Sequence, residues 1–283
     1  MKDTLLVTFG DTHCGSTRGL MLPKGVEDVD GNIILPNPLQ KIIIQQWYEC
    51  WNMVKEKRKG KRLVIVCMGD SVEGIHHDTT QVVSRRVESH EEIATEMYDE
   101  ALRIADFGSG DLLFFLSGTE EHTDSGSQSE ERVARDFSHI ATIDKTNSRY
   151  TWEMLRLNIN GVLCDFAHHG ASPGMRHHTK ENSLRYTLRS LASDNIDSGE
   201  AVPNLVFSAH CHALVMSGKI YANKYEIEGV IIPSFQFKTG YAIKVFPYKL
   251  SDIGLVTTAI SKDGKYEIMP IVMNYVQAER IMV

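Results

Sequence analysis

The amino-acid sequence predicts an α/β protein in which helices and mixed β-sheet form layers around a buried core. Two observations carry this prediction. Short apolar segments of strand type recur along the chain, and several are continuously apolar, which is typical of strands buried on both faces. Helical patterns separate the early strands, whereas strands and turns dominate from about Lys219 onward.

The strands can be placed in order. They are predicted over Leu5–Phe9, Leu63–Met68, Leu112–Leu116, Leu155–Ile159, Val162–Ala167, Leu205–Ser208 and Val230–Ile232. Between the first two, residues 23–36 contain Asp30-Gly31 between two apolar segments, and this pattern predicts a hairpin excursion.

Three helices are predicted between these strands. Pro38–Lys59 has apolar residues three or four positions apart, which form one stripe that faces the core. Ser89–Phe107 begins with Ser89 and Glu92 at capping-box spacing and stops at Gly108, and a third helix covers Lys180–Ala192. No repeat or low-complexity linker interrupts the chain, so we expect a single domain over residues 1–283, with 219–283 as its β-rich C-terminal part.

Composition excludes several classes of protein. Hydrophobic residues make up 42% and charged residues 24% of the 283 positions, which excludes a disordered or collagen-like chain. The net charge of −7 argues against a broad nucleic-acid-binding surface, but it allows a small phosphate site in which bound metal supplies positive charge. Because the sequence lacks a membrane-spanning apolar stretch, a signal-peptide core and paired cysteine spacing, we expect a cytoplasmic protein without a membrane partner.

Chemically active residues follow five of the predicted strands. The segments are Gly10-Asp11-Thr12-His13, Gly69-Asp70-Ser71-Val72-Glu73, Gly118-Thr119-Glu120-Glu121-His122, His168-His169 and His210-Cys211-His212. Because strand ends of one α/β sheet share a crevice, we expect these side chains to converge. Asp11 and His13 are two positions apart, so an extended backbone would project both to one side. Carboxylates beside imidazoles suit a divalent transition metal.

These segments, in this order, resemble the calcineurin-like metallophosphoesterase superfamily. Its pattern is Asp-x-His, Gly-Asp-x-x-(Asp/Glu), Gly-Asn-His-(Asp/Glu), a later His, and Gly-His-x-His. The first, second and fifth blocks match, with Ala209 in place of the last block's Gly, and the blocks run from Gly10 to His212. The third block departs from the pattern, because Thr119 replaces Asn and the histidine comes late, at His122; this is similar to the Gly-Thr-x-x-His variant of phage- and prophage-borne members.

The resemblance implies a layered αββα sandwich with mixed sheets and a centre of two divalent metal ions, with Mn favoured and Fe, Zn or Ni as alternatives. Asp11, His13 and His212 would hold one ion, and Asp70 would bridge both. The second ion would take His210, a group from Thr119 or Glu120, and either His169, which we favour, or His168. Glu73 is either a solvated loop charge or a residue that orients a ligand.

The same resemblance implies phosphoester hydrolysis, with His122 protonating the leaving oxygen. We expect a phosphodiesterase that acts on nucleic acid, such as DNA, or on a nucleotide, in the cytoplasm of a phage-infected or prophage-carrying cell. Arg176, His177 and Lys180 lie in a basic segment after the central histidine pair, and they are either substrate-phosphate contacts or part of a solvated helix face. The alternatives are a phosphomonoesterase, acting on proteins or small molecules, and a non-catalytic binding module with a degenerate metal site. The sequence leaves the oligomeric state open.

Overall fold

The structure, a computed structural model, describes residues 2–75, 81–120, 128–174, 177–239 and 251–273. The helices in these ranges are α1 (Pro38–Arg58), α2 (Val87–Ile104), α3 (Gln128–Asp136) and α4 (Asn182–Ser198), with a short 3-10 helix at His177–Thr179. The strands are β1 (Thr4–Phe9), β2 (Val26–Glu27), β3 (Ile33–Ile34), β4 (Arg62–Cys67), β5 (Leu112–Leu116), β6 (Thr151–Trp152), β7 (Met154–Ile159), β8 (Val162–Ala167), β9 (Leu205–Ser208), β10 (Val215–Met216), β11 (Ile220–Ala222), β12 (Tyr225–Ile231), β13 (Ile253–Ile260) and β14 (Tyr266–Met273).

The long strands form two mixed sheets. The first has the order β14-β13-β1-β4-β5-β6, in which β1, β4, β5 and β6 are parallel and β13 is antiparallel to both of its neighbours, β1 and β14. The second has the order β10-β12-β9-β8-β7, in which β8, β9 and β12 are parallel and the outer strands are antiparallel. The predicted hairpin excursion is confirmed, since β2 pairs with β3 in antiparallel fashion.

Three apolar clusters define four layers. The first cluster lies between helices α1–α3 and one face of the first sheet, where Trp47 and Trp51 of α1 each contact Phe9 of β1 with ring centroids 5.5 Å apart. The second cluster lies between the two sheets and includes Leu6 and Phe166. The third packs α4 against the outer face of the second sheet. Alternate residues of β1 therefore serve two cores, and the predicted αββα layering is confirmed.

The helix boundaries follow local hydrogen bonds. At the start of α1, the side chain of Asn37 accepts from the Gln40 backbone N–H and the Gln40 side chain accepts from that of Asn37, each at 3.0 Å. The capping box predicted for α2 is wrong. That helix begins at Val87, so Ser89 lies within its first turn and its hydroxyl donates instead to the Glu27 carbonyl at 2.9 Å.

Helix α4 begins two residues later than predicted and extends to Ser198, while α3 was not predicted at all. None of the helices in the described ranges is long and apolar enough to cross a membrane.

Candidate metal centre

The candidate site lies where the parallel strands of both sheets end. Asp11 follows β1, Asp70 follows β4 and Thr119 follows β5 in the first sheet, whereas His168 follows β8 and His210 follows β9 in the second. Backbone hydrogen bonds join neighbouring loops, for example from Asp11 N to the Gly69 carbonyl at 2.9 Å and from Ala209 N to the His168 carbonyl at 3.0 Å. The strand order thus brings residues far apart in the sequence into one crevice.

One group of potential ligands consists of Asp11, His13 and His212, whose ligand atoms all lie within 4.8 Å of one another. Nε2 of His13 lies 3.1 Å from Nε2 of His212, and the latter atom lies 3.3 Å from Oδ1 of Asp11. Neighbouring ligands on one ion, each about 2.0–2.1 Å from it, are about 3 Å apart. Oδ1 of Asp11 is also buried without a hydrogen bond of good geometry to any described residue, as a ligand atom facing a metal position would be.

A second group consists of His168, His169 and His210. Oδ2 of Asp70 lies 3.1 Å from Nε2 of His168, and it lies 3.9 Å from both Nε2 of His13 and Nδ1 of His210. The carboxylate of Asp70 therefore stands between the two groups. His168 is buried, whereas His169 and His210 face the solvent side of the crevice.

Thr119 stands at the centre of the second group. Its backbone N–H donates to Oδ1 of Asp70 at 2.6 Å. Its hydroxyl lies 3.2 Å from Oδ2 of Asp70, 3.1 Å from Nε2 of His168 and 3.2 Å from Nδ1 of His210. The threonine in the position of the family's asparagine therefore reaches the potential ligands with both its backbone and its side chain.

The backbone brings these side chains together through left-handed conformations, not through the extended geometry expected from the sequence. The φ angles are positive at Asp11 (48°), His13 (43°), Asp70 (50°), His210 (65°) and His212 (47°). Left-handed backbone at residues other than glycine is uncommon and costs energy, and it persists where surrounding structure enforces it, often at functional sites. The interpretation from two-residue spacing was right about convergence at Asp11 and His13 but wrong about its cause.

Two histidines are oriented by partners on their far ring nitrogens. Nδ1 of His168 lies 2.7 Å from the Met68 carbonyl, which can only accept, so Nδ1 carries the proton in the neutral ring and Nε2 offers a lone pair to the crevice. Nδ1 of His13 lies 3.0 Å from Oε2 of Glu73. Glu73 is fully buried and accepts hydrogen bonds from the side chains of Gln81 and Gln236, so it is not a solvated loop charge, and its carboxylate lies where it could orient His13.

The electrostatics of the crevice suit a cation. Burial alone would raise the pKa of Asp70, but the nearby imidazoles, His168 foremost, hold this pKa well below its usual value. Burial would likewise lower the pKa of His168, yet the Asp70 carboxylate raises it to about 10. Without metal, two buried carboxylates, Asp70 and Asp11, thus stay ionised because imidazolium groups compensate them. Divalent metal ions would supply positive charge in the same place, so these residues fit the predicted pair of ions.

Glu130 lies behind this crevice, and sequence reasoning missed it. It belongs to the first turn of α3; Oε1 accepts from the Ser71 backbone N–H at 2.6 Å and Oε2 accepts from the Ser71 hydroxyl at 2.9 Å. Burial raises its pKa to about 7, and the negative charge of Asp70 adds to this effect. The segment Gln128–Asp136 is mostly polar, so neither apolar periodicity nor a strand end marked this carboxylate in the sequence.

The remaining predicted residues fall into two sets. His122 and Arg176 lie outside the described residues, as does the side chain of His177, whose backbone belongs to the short 3-10 helix. Lys180 is described, and its ammonium donates to the Leu214 carbonyl at 2.7 Å and lies 3.3 Å from Oδ2 of Asp252. This ammonium therefore has structural partners within the protein, and its contact with a substrate phosphate stays a prediction.

Comparison with known proteins yields structural likenesses alone. No protein-family model matches the chain, and no curated protein matches its sequence. A purple acid phosphatase from yellow lupin (Lupinus luteus) seeds is 12% identical over 96% of this chain, with a TM-score of 0.41. This chain covers 54% of that phosphatase chain, about half its length. A protein of unknown function from Aquifex aeolicus is also 12% identical, over 74% of this chain and 80% of its own, with a TM-score of 0.27.

Proposed function

We propose that this protein is a metal-dependent phosphoester hydrolase with a centre for two divalent ions. The observation that carries the proposal is that both ligand groups meet at the Asp70 carboxylate, which with Asp11 and His168 forms a third group whose ligand atoms lie within 4.8 Å of one another. Burying two ionised carboxylates among imidazoles carries a large desolvation cost, and such clusters of perturbed ionisable groups occur preferentially at functional sites. Both TM-scores are below 0.5, so the proposal depends on these side chains and on the sequence resemblance.

The ligands divide into two sets in this proposal. Asp11, His13 and His212 would hold the first ion, and the Asp70 carboxylate would be available to both. His210 and Thr119 would hold the second, together with a histidine of the central pair. The sequence favoured His169, but the buried position of His168, with Nε2 directed at Asp70, favours His168 as the ligand and leaves His169 on the solvent side.

When bound, the two ions supply Lewis-acid stabilisation of phosphate charge and lower the pKa of water at the site. The protein residues do the rest. Glu73 holds the ring of His13, the Met68 carbonyl holds the ring of His168, and the Thr119 N–H holds Oδ1 of Asp70. These fixed partners keep the donor atoms in place before substrate arrives, which lowers the cost of reorganisation. His122 donates a proton to the leaving oxygen in this proposal.

The substrate we propose is a phosphodiester in nucleic acid, such as DNA, or in a nucleotide, with Mn²⁺ as the preferred ion. The support is the resemblance of the Gly118-Thr119-x-x-His122 block to phage- and prophage-borne phosphoesterases, together with the basic segment that holds Arg176, His177 and Lys180. A cytoplasmic setting, in a phage-infected or prophage-carrying cell, is part of the same proposal, and the five free cysteines fit a reducing compartment.

The proposal is tested by supplying the purified chain with Mn²⁺ and measuring hydrolysis of bis-p-nitrophenyl phosphate, p-nitrophenyl phosphate, and single- and double-stranded DNA. We expect turnover of the diester that Asp70→Asn and His210→Ala each reduce by at least a hundredfold. The matched control is Asp165→Asn, since Asp165 is also a buried carboxylate but pairs with Arg156 on the second sheet, at 2.8 Å.

Three outcomes would contradict the proposal in different ways. A much higher rate on the monoester than on the diester would favour a phosphomonoesterase. Diester turnover that survives in both Asp70→Asn and His210→Ala would place the activity elsewhere. Less than one bound ion per chain, with no turnover after added Mn²⁺, would favour the non-catalytic binding module.

A further inference from the structure

The first turn of α3 places two carboxylates inside the protein. Glu130 is fully buried and Glu131 is 9% exposed, although both sit in an otherwise polar helix. Carboxylates near a helix N-terminus are stabilised by the helix dipole, but this effect does not require burial. Buried carboxylates need hydrogen-bond donors, and Glu130 and Glu131 accept from different parts of the protein.

Glu130 holds the residue that immediately follows Asp70. Its two oxygens accept from the backbone N–H and the hydroxyl of Ser71, and Ser71 is itself fully buried. The Ser71 carbonyl accepts from Cys14 N and from the Thr12 hydroxyl, each at 2.9 Å. Ser71 is thus fixed on one side by the carboxylate of α3 and on the other by the loop that carries Asp11 and His13.

Asp70 has little freedom to compensate for a shift of Ser71. Its backbone is left-handed, with φ of 50°, and Gly69 before it is left-handed as well. On the opposite side Gly118 packs so closely that a Cβ there would lie 2.4 Å from both N and Oδ1 of Asp70. The carboxylate position between the two ligand groups is therefore set by the loop ends, and Glu130 binds one of those ends.

We propose that Glu130 is a positioning residue, which through Ser71 holds the carboxylate of Asp70 where both metal positions can share it. The inference rests on the proposed function, because it assigns a purpose to Glu130 only if Asp70 binds metal. The link is physical. Removal of the Glu130 carboxylate leaves the Ser71 N–H buried without its acceptor, and the loop must move to find another.

Substitutions at position 130 separate this role from simple stabilisation of α3. Glu130→Ala removes both acceptors. Glu130→Gln keeps a carbonyl oxygen for the Ser71 N–H, and its amide can donate to the Ser71 hydroxyl, so this variant should retain most of the Mn²⁺ affinity. Glu130→Asp keeps the charge but shortens the side chain, so it should not.

Glu131 offers a matched control on the same helix turn. Its carboxylate accepts from Tyr150 N at 3.0 Å, and from the backbone N–H and hydroxyl of Thr151 at 3.1 and 3.0 Å. These partners lie at the edge strand β6 of the first sheet, away from Asp70. Glu131→Gln should change thermal stability without changing metal affinity.

The experiment measures Mn²⁺ affinity by calorimetry on the full chain, the Mn²⁺ concentration that gives half-maximal diester hydrolysis, and the melting temperature. We expect Glu130→Ala and Glu130→Asp to weaken Mn²⁺ binding by about 10-fold, the lower end of the range for removal of a direct partner of a metal ligand, because Glu130 acts on Asp70 through Ser71. Glu130→Gln and Glu131→Gln should stay within about threefold of wild type.

Unchanged Mn²⁺ affinity in a folded Glu130→Ala or Glu130→Asp variant would overturn the inference while leaving the proposed function intact. If Glu130→Ala fails to fold, the comparison of Glu130→Asp with Glu130→Gln decides the matter, and equal affinities in those two would overturn it. Wild-type protein that binds no Mn²⁺ would instead overturn the proposed function, and this inference with it.

Discussion

Glu130→Gln is expected to remove part of the pH dependence of the unfolding of the metal-free protein. The pKa of Glu130 rises from 4.5 to about 7 in the folded state, with burial as the first cause. A carboxyl whose pKa is higher in the folded state binds protons more tightly there, so the group favours folding less as pH rises from 4.5 through 7. One pKa unit corresponds to about 1.4 kcal/mol, so the full effect is about 3 kcal/mol.

The assay is urea unfolding in the presence of a chelator, at pH values from 5 to 8, because bound cations would otherwise alter this pKa. We expect the difference in the free energy of unfolding between Glu130→Gln and wild type to grow by about 2–3 kcal/mol, in favour of the variant, from pH 5 to pH 8. Val133→Ala is the control, since Val133 is fully buried on the same helix but does not titrate. Its cost, about 2 kcal/mol, should not vary with pH. A pH-independent difference for Glu130→Gln would refute the reasoning.

Three further predictions concern the crevice. Gly118→Ala should lower the melting temperature and weaken Mn²⁺ binding, because the new Cβ would lie 2.4 Å from Asp70 N. Gly108→Ala should change neither property, since its Cβ would lie 3.9 Å from the nearest atom. Equal melting temperatures for the two variants would contradict this prediction. Mn²⁺ affinity should rise with pH between about 6 and 9, because His168, whose pKa is raised to about 10 in the metal-free protein, must release a proton to bind metal. Calorimetry in buffers of different ionisation enthalpy should detect this proton release. Its absence would count against His168 as a ligand. Saturating Mn²⁺ should raise the melting temperature, because ligand at a hundredfold excess over Kd adds about 3 kcal/mol to the free energy of unfolding, and a chelator should reverse the shift. A melting temperature that responds to neither Mn²⁺ nor chelator would contradict a resident metal.

The parts of the fold that were predictable from the sequence are those with a strong local signal. The continuously apolar strands were found because a run such as Leu63–Met68 has no solvent-exposed face, and the structure places β4 at Arg62–Cys67. The loops after these strands were found because they combine carboxylate and imidazole residues, and parallel strands bring their carboxyl ends together.

The rest depended on tertiary contacts that have no local signal. The start of α2 was wrong because Ser89 bonds to Glu27 of the hairpin and does not cap its own helix. Helix α3 was missed because Glu130 and Glu131, which are buried, look in the sequence like solvated charges. Whether Glu73 is a solvated loop charge could not be decided from spacing, because one of the side chains that bury and bind it, Gln236, lies far along the chain.

The most direct test of the central claim is a crystal structure of the chain grown or soaked with Mn²⁺, with anomalous diffraction to locate the ions. We expect two anomalous peaks about 3.5–4 Å apart, with the carboxylate of Asp70 between them. One peak should lie against Asp11, His13 and His212, and the other against His210, Thr119 and His168. Absence of any peak in this crevice at saturating Mn²⁺, or a single ion without contact to Asp70, would contradict a binuclear centre.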